Sequence, residues 1–394
     1  MPKLVISGNS AQAYAAKLAR VGVVAAYPIT PQTTIIEKIA EFMAKGELDA
    51  QYIKVESEHS ALQACISASG VGARTYTATS SQGLLLMHEL LHWASGARAP
   101  VVMGVANRAV APPWNISADH TDTVAQRDTG WIQFYAESNQ EVLDTVLQAF
   151  RLAEDGEVSL PAMVSEDAFF LTHTVEPVDV PAQAEVDAFL PPRQARYTLR
   201  AGTAMRIGSY LAADNYQEYR RKLSLAMERV PQVFEEVERE YERATGRNHG
   251  GLLPLYKTEG ADAVLITMGT AGTTARAVVD RMREEGKRVG LAKLRAFRPF
   301  PAREVLELGK EVAKVGVLDR SFTFAPQGAA ATEVQAALYK APHRPQFAGF
   351  IGGLGGRDVT PDAIEGMYRK LLSGSAPETS WVGLVPPKEV HAGA

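Results

Sequence analysis

The chain has 394 residues, 46% hydrophobic and 22% charged, with a formal net charge of −4. That length exceeds one ordinary core and makes two domains the starting expectation. The mild acidity gives no electrostatic case for nucleic acid or a membrane surface, and no apolar run nears the ~20 residues that span a bilayer.

The predicted elements begin at Met1-Pro2-Lys3-Leu4-Val5-Ile6, which reads as a first strand and not as a signal peptide; the expected location is the cytoplasm. Strands are predicted over 3–6, 23–26, 52–55, 74–78, 101–105, 132–136 and 162–165, and helices over 11–21, 31–45, 58–68, 83–94 and 140–154. This alternation is the pattern of a parallel sheet covered by helices. From about Asp167 it breaks: residues 175–193 read as an extended excursion and 215–245 as a charged helix, together an arm or interface element. A second α/β unit starts near Gly260, with strands over 263–268, 289–296, 315–318 and 347–351 and helices over 272–285 and 303–312. The tail after Ser375 carries little pattern.

Thr30 is placed to cap the helix that Pro31 opens, leaving a hydroxyl and free backbone donors for a small anion. Glu58 follows a strand and opens a helix with Ser57 as N-cap; a bland reading is an acid complementing the helix dipole. Arg108 lies just past a strand in an apolar stretch, where it serves either an ion pair or, through its planar fork, a carboxylate ligand. Thr30, Glu58, Ser80 and Arg108 all follow predicted strands, the edge where such sheets bind ligands.

Other motifs carry less. His88-Glu89-Leu90-Leu91-His92 fits H-E-x-x-H and raises zinc hydrolysis as a rival, yet no third-ligand segment follows and apolar residues flank it. Ser80-Ser81-Gln82-Gly83 mimics a nucleophile elbow without its first glycine or its Asp and His partners. The Gly352–Gly356 loop lacks dinucleotide-fold glycine spacing and reads as a tight loop at a subunit contact. Cys65, the one cysteine, reads as a small core residue; one thiol makes no internal disulfide and holds no iron–sulfur cluster.

Three segments together carry a resemblance: Ala25-Ala26-Tyr27-Pro28-Ile29-Thr30-Pro31-Gln32-Thr33, Val55-Glu56-Ser57-Glu58-His59-Ser60 and Val105-Ala106-Asn107-Arg108-Ala109. Ala78-Thr79-Ser80-Ser81-Gln82-Gly83, Ala118-Asp119-His120-Thr121-Asp122, residues 126–137, Phe297-Arg298-Pro299-Phe300-Pro301 and Gly352-Gly353-Leu354-Gly355-Gly356-Arg357-Asp358 extend it nearly end to end. The chain resembles the α subunit of the 2-oxoacid:ferredoxin oxidoreductases, most closely those acting on pyruvate or branched-chain 2-oxo acids.

The resemblance implies an α/β fold of two domains. Residues 1–258 would form a pyrimidine-type thiamine diphosphate domain with an arm inserted at about 168–258, and 259–394 a domain like the C-terminal domain of transketolases. It implies that Glu58 hydrogen-bonds the cofactor's aminopyrimidine, with Glu56 two residues away as the competing candidate. Pro28 and Thr30 would lie against the cofactor, Arg108 and Thr30 would hold the substrate, and Asn107 would help orient it. No metal ligand falls on this chain. No Gly-Asp-Gly occurs, so the Mg²⁺–diphosphate anchor would belong to a β subunit that shares the site. The [4Fe-4S] clusters would lie on ferredoxin-like γ and δ subunits that pass electrons to ferredoxin, with coenzyme A as co-substrate. The implied reaction is conversion of pyruvate to acetyl-CoA and CO₂, and its reverse; a branched-chain acid such as 2-oxoisovalerate is the alternative. Ala118–Asp122 leans toward pyruvate types, whereas Ala111-Pro112-Pro113-Trp114 and His92-Trp93-Ala94 lean toward branched-chain types, with Trp114 as a candidate pocket wall. Thr30 in place of a second cation argues against oxalate. The rival from another class is a non-catalytic assembly subunit.

Overall fold

The computed structural model describes residues 3–385 apart from 197 and 203. In chain order, β1 (Lys3–Ser7) leads into α1 (Gly8–Leu18), whose N-cap Ser7 accepts from Ser10 N at 3.3 Å. Then come β2 (Val23–Ala26), α2 (Thr33–Ala44), β3 (Gln51–Lys54), α3 (Glu58–Gly70), β4 (Thr75–Thr79), α4 (Ser81–Leu86), α5 (His88–Gly96) and β5 (Val102–Asn107). α6 (Thr121–Val124), β6 (Ile132–Tyr135), α7 (Asn139–Ala153) and β7 (Ala162–Asp167) follow, then β8 (Val175–Asp179), α8 (Gln183–Phe189) and α9 (Ala213–Thr245). The remainder is β9 (Leu255–Tyr256), β10 (Ala263–Thr267), α10 (Ala271–Glu284), β11 (Val289–Lys293), β12 (Ala296–Arg298), α11 (Ala302–Glu311), β13 (Lys314–Asp319), α12 (Ala329–Leu338), β14 (Gln346–Ile351), α13 (Pro361–Ser373) and β15 (Thr379–Trp381).

Two compact units result, Met1–Pro254 with Leu294–Pro301, and Leu255–Lys293 with Ala302–Ala394. The first is built on a seven-stranded sheet of order β12-β6-β7-β5-β4-β2-β3, parallel except where β12 meets β6. Successive strand residues face opposite sides, so Val164 belongs to the core layer that includes residues of α1, α2, α7 and α9, while Met163 belongs to the layer that includes residues of α3 and α5. Burial on both faces explains why the central strands β4, β5, β6 and β7 are buried along their whole length. The second unit has a six-stranded sheet of order β15-β14-β13-β10-β11-β9, again parallel apart from its β9 edge.

Several local expectations need correction. The helix expected from Pro31 begins at Thr33 with Gln32 before it, so Thr30 is not its N-cap. Gln32 instead donates Nε2 to Ala78 O at 3.0 Å, and Asn9 Nδ2 donates to Pro31 O at 2.7 Å; these buried amides fix the loop. The helix expected over 83–94 is two, meeting at Met87. The strand expected over 289–296 breaks after Lys293, and β12 pairs antiparallel with β6 in the first unit's sheet. The 175–193 excursion contains β8, which pairs with β1, and α8. The tail after Ser375 contributes β15.

α9 runs 33 residues, about 50 Å, and carries Pro231. Its C-terminal half packs Val230, Phe234, Val237 and Tyr241 into the first unit's core at helical spacing. Fully buried Arg295 binds that half in place: Nη1 meets Glu238 Oε1 at 2.5 Å, Nε lies 2.9 Å from Glu141 Oε1, and Nη2 donates to Gln148 Oε1 at 2.7 Å.

Candidate active site

Four loops gather beyond the carboxyl ends of β2, β3, β4 and β5. The turn from Tyr27 to Gln32 leaves β2, Glu58 opens α3 after β3, Ser80–Gly83 joins β4 to α4, and Arg108 follows β5 directly. Parallel pairing of β3 with β2, β2 with β4 and β4 with β5 puts all four on one edge.

Ser57 has the extended backbone of an N-cap and accepts from Ser60 N at 3.2 Å, which sets the first turn of α3 and brings Glu58 inward. Glu58 is buried, yet no described residue gives its carboxylate a hydrogen bond or an ion pair. Glu56 is exposed and accepts from the Ser60 hydroxyl, which lowers its pKa. The Glu58 carboxylate can stand where it does because residue 83 is glycine. A Cβ there would lie 2.5 Å from Glu58 Oε1 and 2.5 Å from Thr79 Oγ1.

Arg108 is 5% exposed. Its Nη1 donates to Thr30 O at 2.5 Å and its Nη2 to Gln82 Oε1 at 2.6 Å. Both partners are neutral oxygens, and Nε is buried with no acceptor. Burial lowers the guanidinium's pKa, while the Asp122 and Glu58 charges raise it. Two of the five N–H donors of an arginine are thus spent, and the cation has no ion-pair partner among the described residues.

Asp122 organises the loops from below. Its Oδ2 accepts from Ser81 N and from Arg108 N, each at 3.0 Å, and its Oδ1 accepts from Asn107 Nδ2 at 2.8 Å and Thr123 N at 2.7 Å. Burial pushes this carboxyl up to about 6 against the four donors, which lower it. Asn107 is fully buried and gives its second amide proton to Thr123 Oγ1 at 2.8 Å. Ser81 holds φ at 45°, a left-handed conformation uncommon outside glycine, with its N–H on Asp122.

Of the residues singled out from sequence, Thr30, Glu58 and Arg108 share this edge. Thr30 is exposed and meets Arg108 through its carbonyl, and Pro28 is exposed in the same loop. Asn107 lies beneath, occupied by Asp122 and Thr123. Trp114 is 77% exposed in the loop after β5. Asp122, Gln82 and Gly83 were missed as individual residues; the Asp122 segment signals only the resemblance, and the Gln82–Gly83 segment the resemblance and a nucleophile-elbow mimic. The buried thiol of Cys65 is pushed up to about 12 by its apolar surroundings, as befits a core residue. His88 Nδ1 lies 2.5 Å from Gln126 Oε1, and its ring meets that of His92 edge-on at 5.1 Å. Among the described residues no three His, Cys, Asp or Glu side chains are arranged to hold a metal ion.

Comparison with known proteins places this edge in context. Residues 14–239 match the family described as pyruvate flavodoxin/ferredoxin oxidoreductase, thiamine diphosphate-binding, and residues 261–364 match pyruvate:ferredoxin oxidoreductase core domain II. The chain is 50% identical to ketoisovalerate oxidoreductase subunit VorA of Pyrococcus abyssi over 97% of this chain and 98% of that one. It is 49% identical to pyruvate synthase subunit PorA of Methanothermobacter thermautotrophicus, over 98% and 99%. The 2-oxoglutarate:ferredoxin oxidoreductase of Magnetococcus marinus aligns at TM-score 0.72 and 18% identity, covering 94% of this chain and 65% of that one. A split-gene transketolase aligns at TM-score 0.52 and 11% identity, over 92% and 98%; these two likenesses are of fold. The expected α/β architecture of two parallel-sheet domains, the first matching a thiamine diphosphate-binding family, is the one observed. The chain belongs to the α subunits of the 2-oxoacid:ferredoxin oxidoreductases and is an oxidoreductase subunit.

Proposed function

We propose that this chain supplies the pyrimidine-side half of a thiamine diphosphate site that a β subunit completes, and that it is active only in that assembly. The residues fit the cofactor: Glu58 is a buried carboxylate packed against Gly83 with no hydrogen bond among the described residues, suited to hydrogen-bond an aminopyrimidine. Thiamine diphosphate, when bound, supplies the carbanion that adds to the 2-oxo carbon and accepts the electron pair released with CO₂. Glu58 holds a proton at the pyrimidine edge, with Pro28 and Thr30 lining it. Arg108 grips the substrate carboxylate with its remaining donors, beside Thr30. Asn107 acts through Asp122, by setting where the Arg108 backbone stands.

The observation that carries this reading is Arg108: a buried cation anchored only by neutral oxygens, with Nε left without an acceptor. Such a group calls for an anion. One arginine whose hydrogen-bond partners are neutral oxygens fits a monocarboxylate, and the reaction proposed is pyruvate with coenzyme A giving acetyl-CoA and CO₂, and the reverse. [4Fe-4S] clusters on γ and δ subunits would carry the electrons to ferredoxin, Mg²⁺ would be held by the β subunit, and the complex would work in the cytoplasm. The relative named for ketoisovalerate, at 50% identity, supports a branched-chain acid as the second reading.

Purifying the native complex through this chain and assaying a panel of 2-oxo acids with coenzyme A and an artificial acceptor tests it. Coenzyme A-dependent turnover fastest with pyruvate is expected. A preference for 2-oxoisovalerate moves the assignment to the second reading, and a lone polypeptide without bound thiamine diphosphate contradicts both.

A further inference from the structure

Gln82 is a side chain on this edge to which the proposed mechanism gives no task. Its Oε1 lies 2.6 Å from Arg108 Nη2. Arginine has only donors, so the amide atom facing it must be the oxygen, and the orientation of the Gln82 amide is thereby fixed. Its Nε2 is then turned away from Arg108, and it is buried with no acceptor. The Arg108 Nε proton is buried and unmatched as well. Two hydrogen-bonded neighbours are therefore each left with an N–H donor that has no partner. A buried donor without a partner costs free energy that an arriving acceptor oxygen would recover.

A 2-oxo acid carries its acceptors in that arrangement: two carboxylate oxygens and, on the next carbon, the oxo oxygen. Arg108 still has the Nε proton and one proton on each of Nη1 and Nη2, and a guanidinium can take a carboxylate through two such donors. With the carboxylate taken there, the neighbouring donor is the Gln82 amide. We propose that Gln82 orients the substrate, with Oε1 fixing the Arg108 guanidinium and Nε2–H donating to the oxo oxygen beside the carboxylate. It thereby distinguishes a 2-oxo acid from a plain carboxylate. The inference rests on Arg108 being the carboxylate ligand.

The experiment uses the assembled complex and reads two numbers: KM for the 2-oxo acid, and the inhibition constant of the plain carboxylate of the same chain length, propionate for pyruvate. Gln82→Met, close in size, removes both acceptor and donor. The KM is expected to rise about tenfold or more, as for a lost buried hydrogen bond, while the propionate constant moves much less. If Gln82→Met does not assemble, Gln82→Glu replaces it, because Glu keeps an oxygen for Arg108 and loses the donor. It is expected to raise the ratio of KM to the propionate constant in the same sense. Equal weakening of both ligands would make Gln82 a support for Arg108 alone and overturn the oxo contact, as would no change in either. Arg108→Ala, run alongside, is expected to weaken both ligands. If it weakens neither, the carboxylate assignment has failed; if it weakens both while the Gln82 variants leave the ratio unchanged, only the Gln82 inference has failed.

Discussion

Gly83 and Glu58 are set so closely that a Cβ on the glycine would stand 2.5 Å from the glutamate's Oε1. The second close atom is Thr79 Oγ1, also at 2.5 Å, so an added methyl is confined between a strand side chain and the carboxylate. Glu58, with no described partner to hold it, is the group that gives way. Gly83→Ala is expected to cost about 1–3 kcal/mol of stability and, by displacing the carboxylate, to lower kcat by about 100-fold. Steady-state rates and a thermal melt of the assembled complex separate the two effects. Wild-type kcat would show that this placement of Glu58 is not needed.

Glu58 and Glu56 lie two residues apart but in different environments, the first buried and the second exposed on Ser60. Glu58→Gln is expected to reduce kcat by at least about 100-fold, whereas Glu56→Gln removes only a surface contact and is expected to leave kcat within about twofold. The reverse pattern in initial rates would reassign the cofactor's carboxylate.

Asp122 gives a pH prediction. Its carboxyl titrates at about 6 because burial disfavours the anion. A proton on it faces four N–H donors, so the Ser81–Asp122–Arg108 connection loosens as pH falls through about 6, and kcat/KM is expected to fall on that limb. The sign for stability is opposite. A carboxyl whose folded pKa lies above its unfolded value of 3.8 favours the folded chain on protonation, and this contribution is lost as pH rises through about 6. The acid limb in kcat/KM is therefore expected without a matching fall in melting temperature from this group. A limb that tracks unfolding would contradict it.

Arg295 is fully buried between Glu141 and Glu238 and also donates to Thr145 Oγ1 at 3.0 Å. Arg295→Met leaves two buried carboxylates without their cation, and a loss of about 3–5 kcal/mol is expected in chemical denaturation. A change under about 1 kcal/mol would mean the site relaxes or admits water.

How much of this was legible depends on how local each feature is. Alternation of apolar strands with helical patterns sufficed for every strand of the first sheet except β12, and Ser57 before Glu58 announced the turn that buries the glutamate. Thr360-Pro361 and Gly374 bracket α13 with ordinary cap chemistry; those signals were present and went unread. Non-local features were out of reach. Asp122 receives Ser81 N across 41 residues of sequence, and no local pattern marks such a closure. β12 looks like the end of β11, because the break at Leu294 and Arg295 is set by pairing with β6 and not by a turn residue. Thr30 misled for the opposite reason: a Thr-Pro pair is a helix-start signal, but Gln32 and Asn9 hold Pro31 in a loop and α2 starts at Thr33.

The central claim is that Arg108 binds the carboxylate of a 2-oxo acid, and the direct measurement is kcat/KM for that acid in the assembled complex carrying Arg108→Ala. Removing a buried, charge-assisted contact is expected to lower it by about 100-fold or more, with the complex intact and thiamine diphosphate still bound. Wild-type kcat/KM in an intact complex would contradict the claim and leave this chain as an assembly subunit.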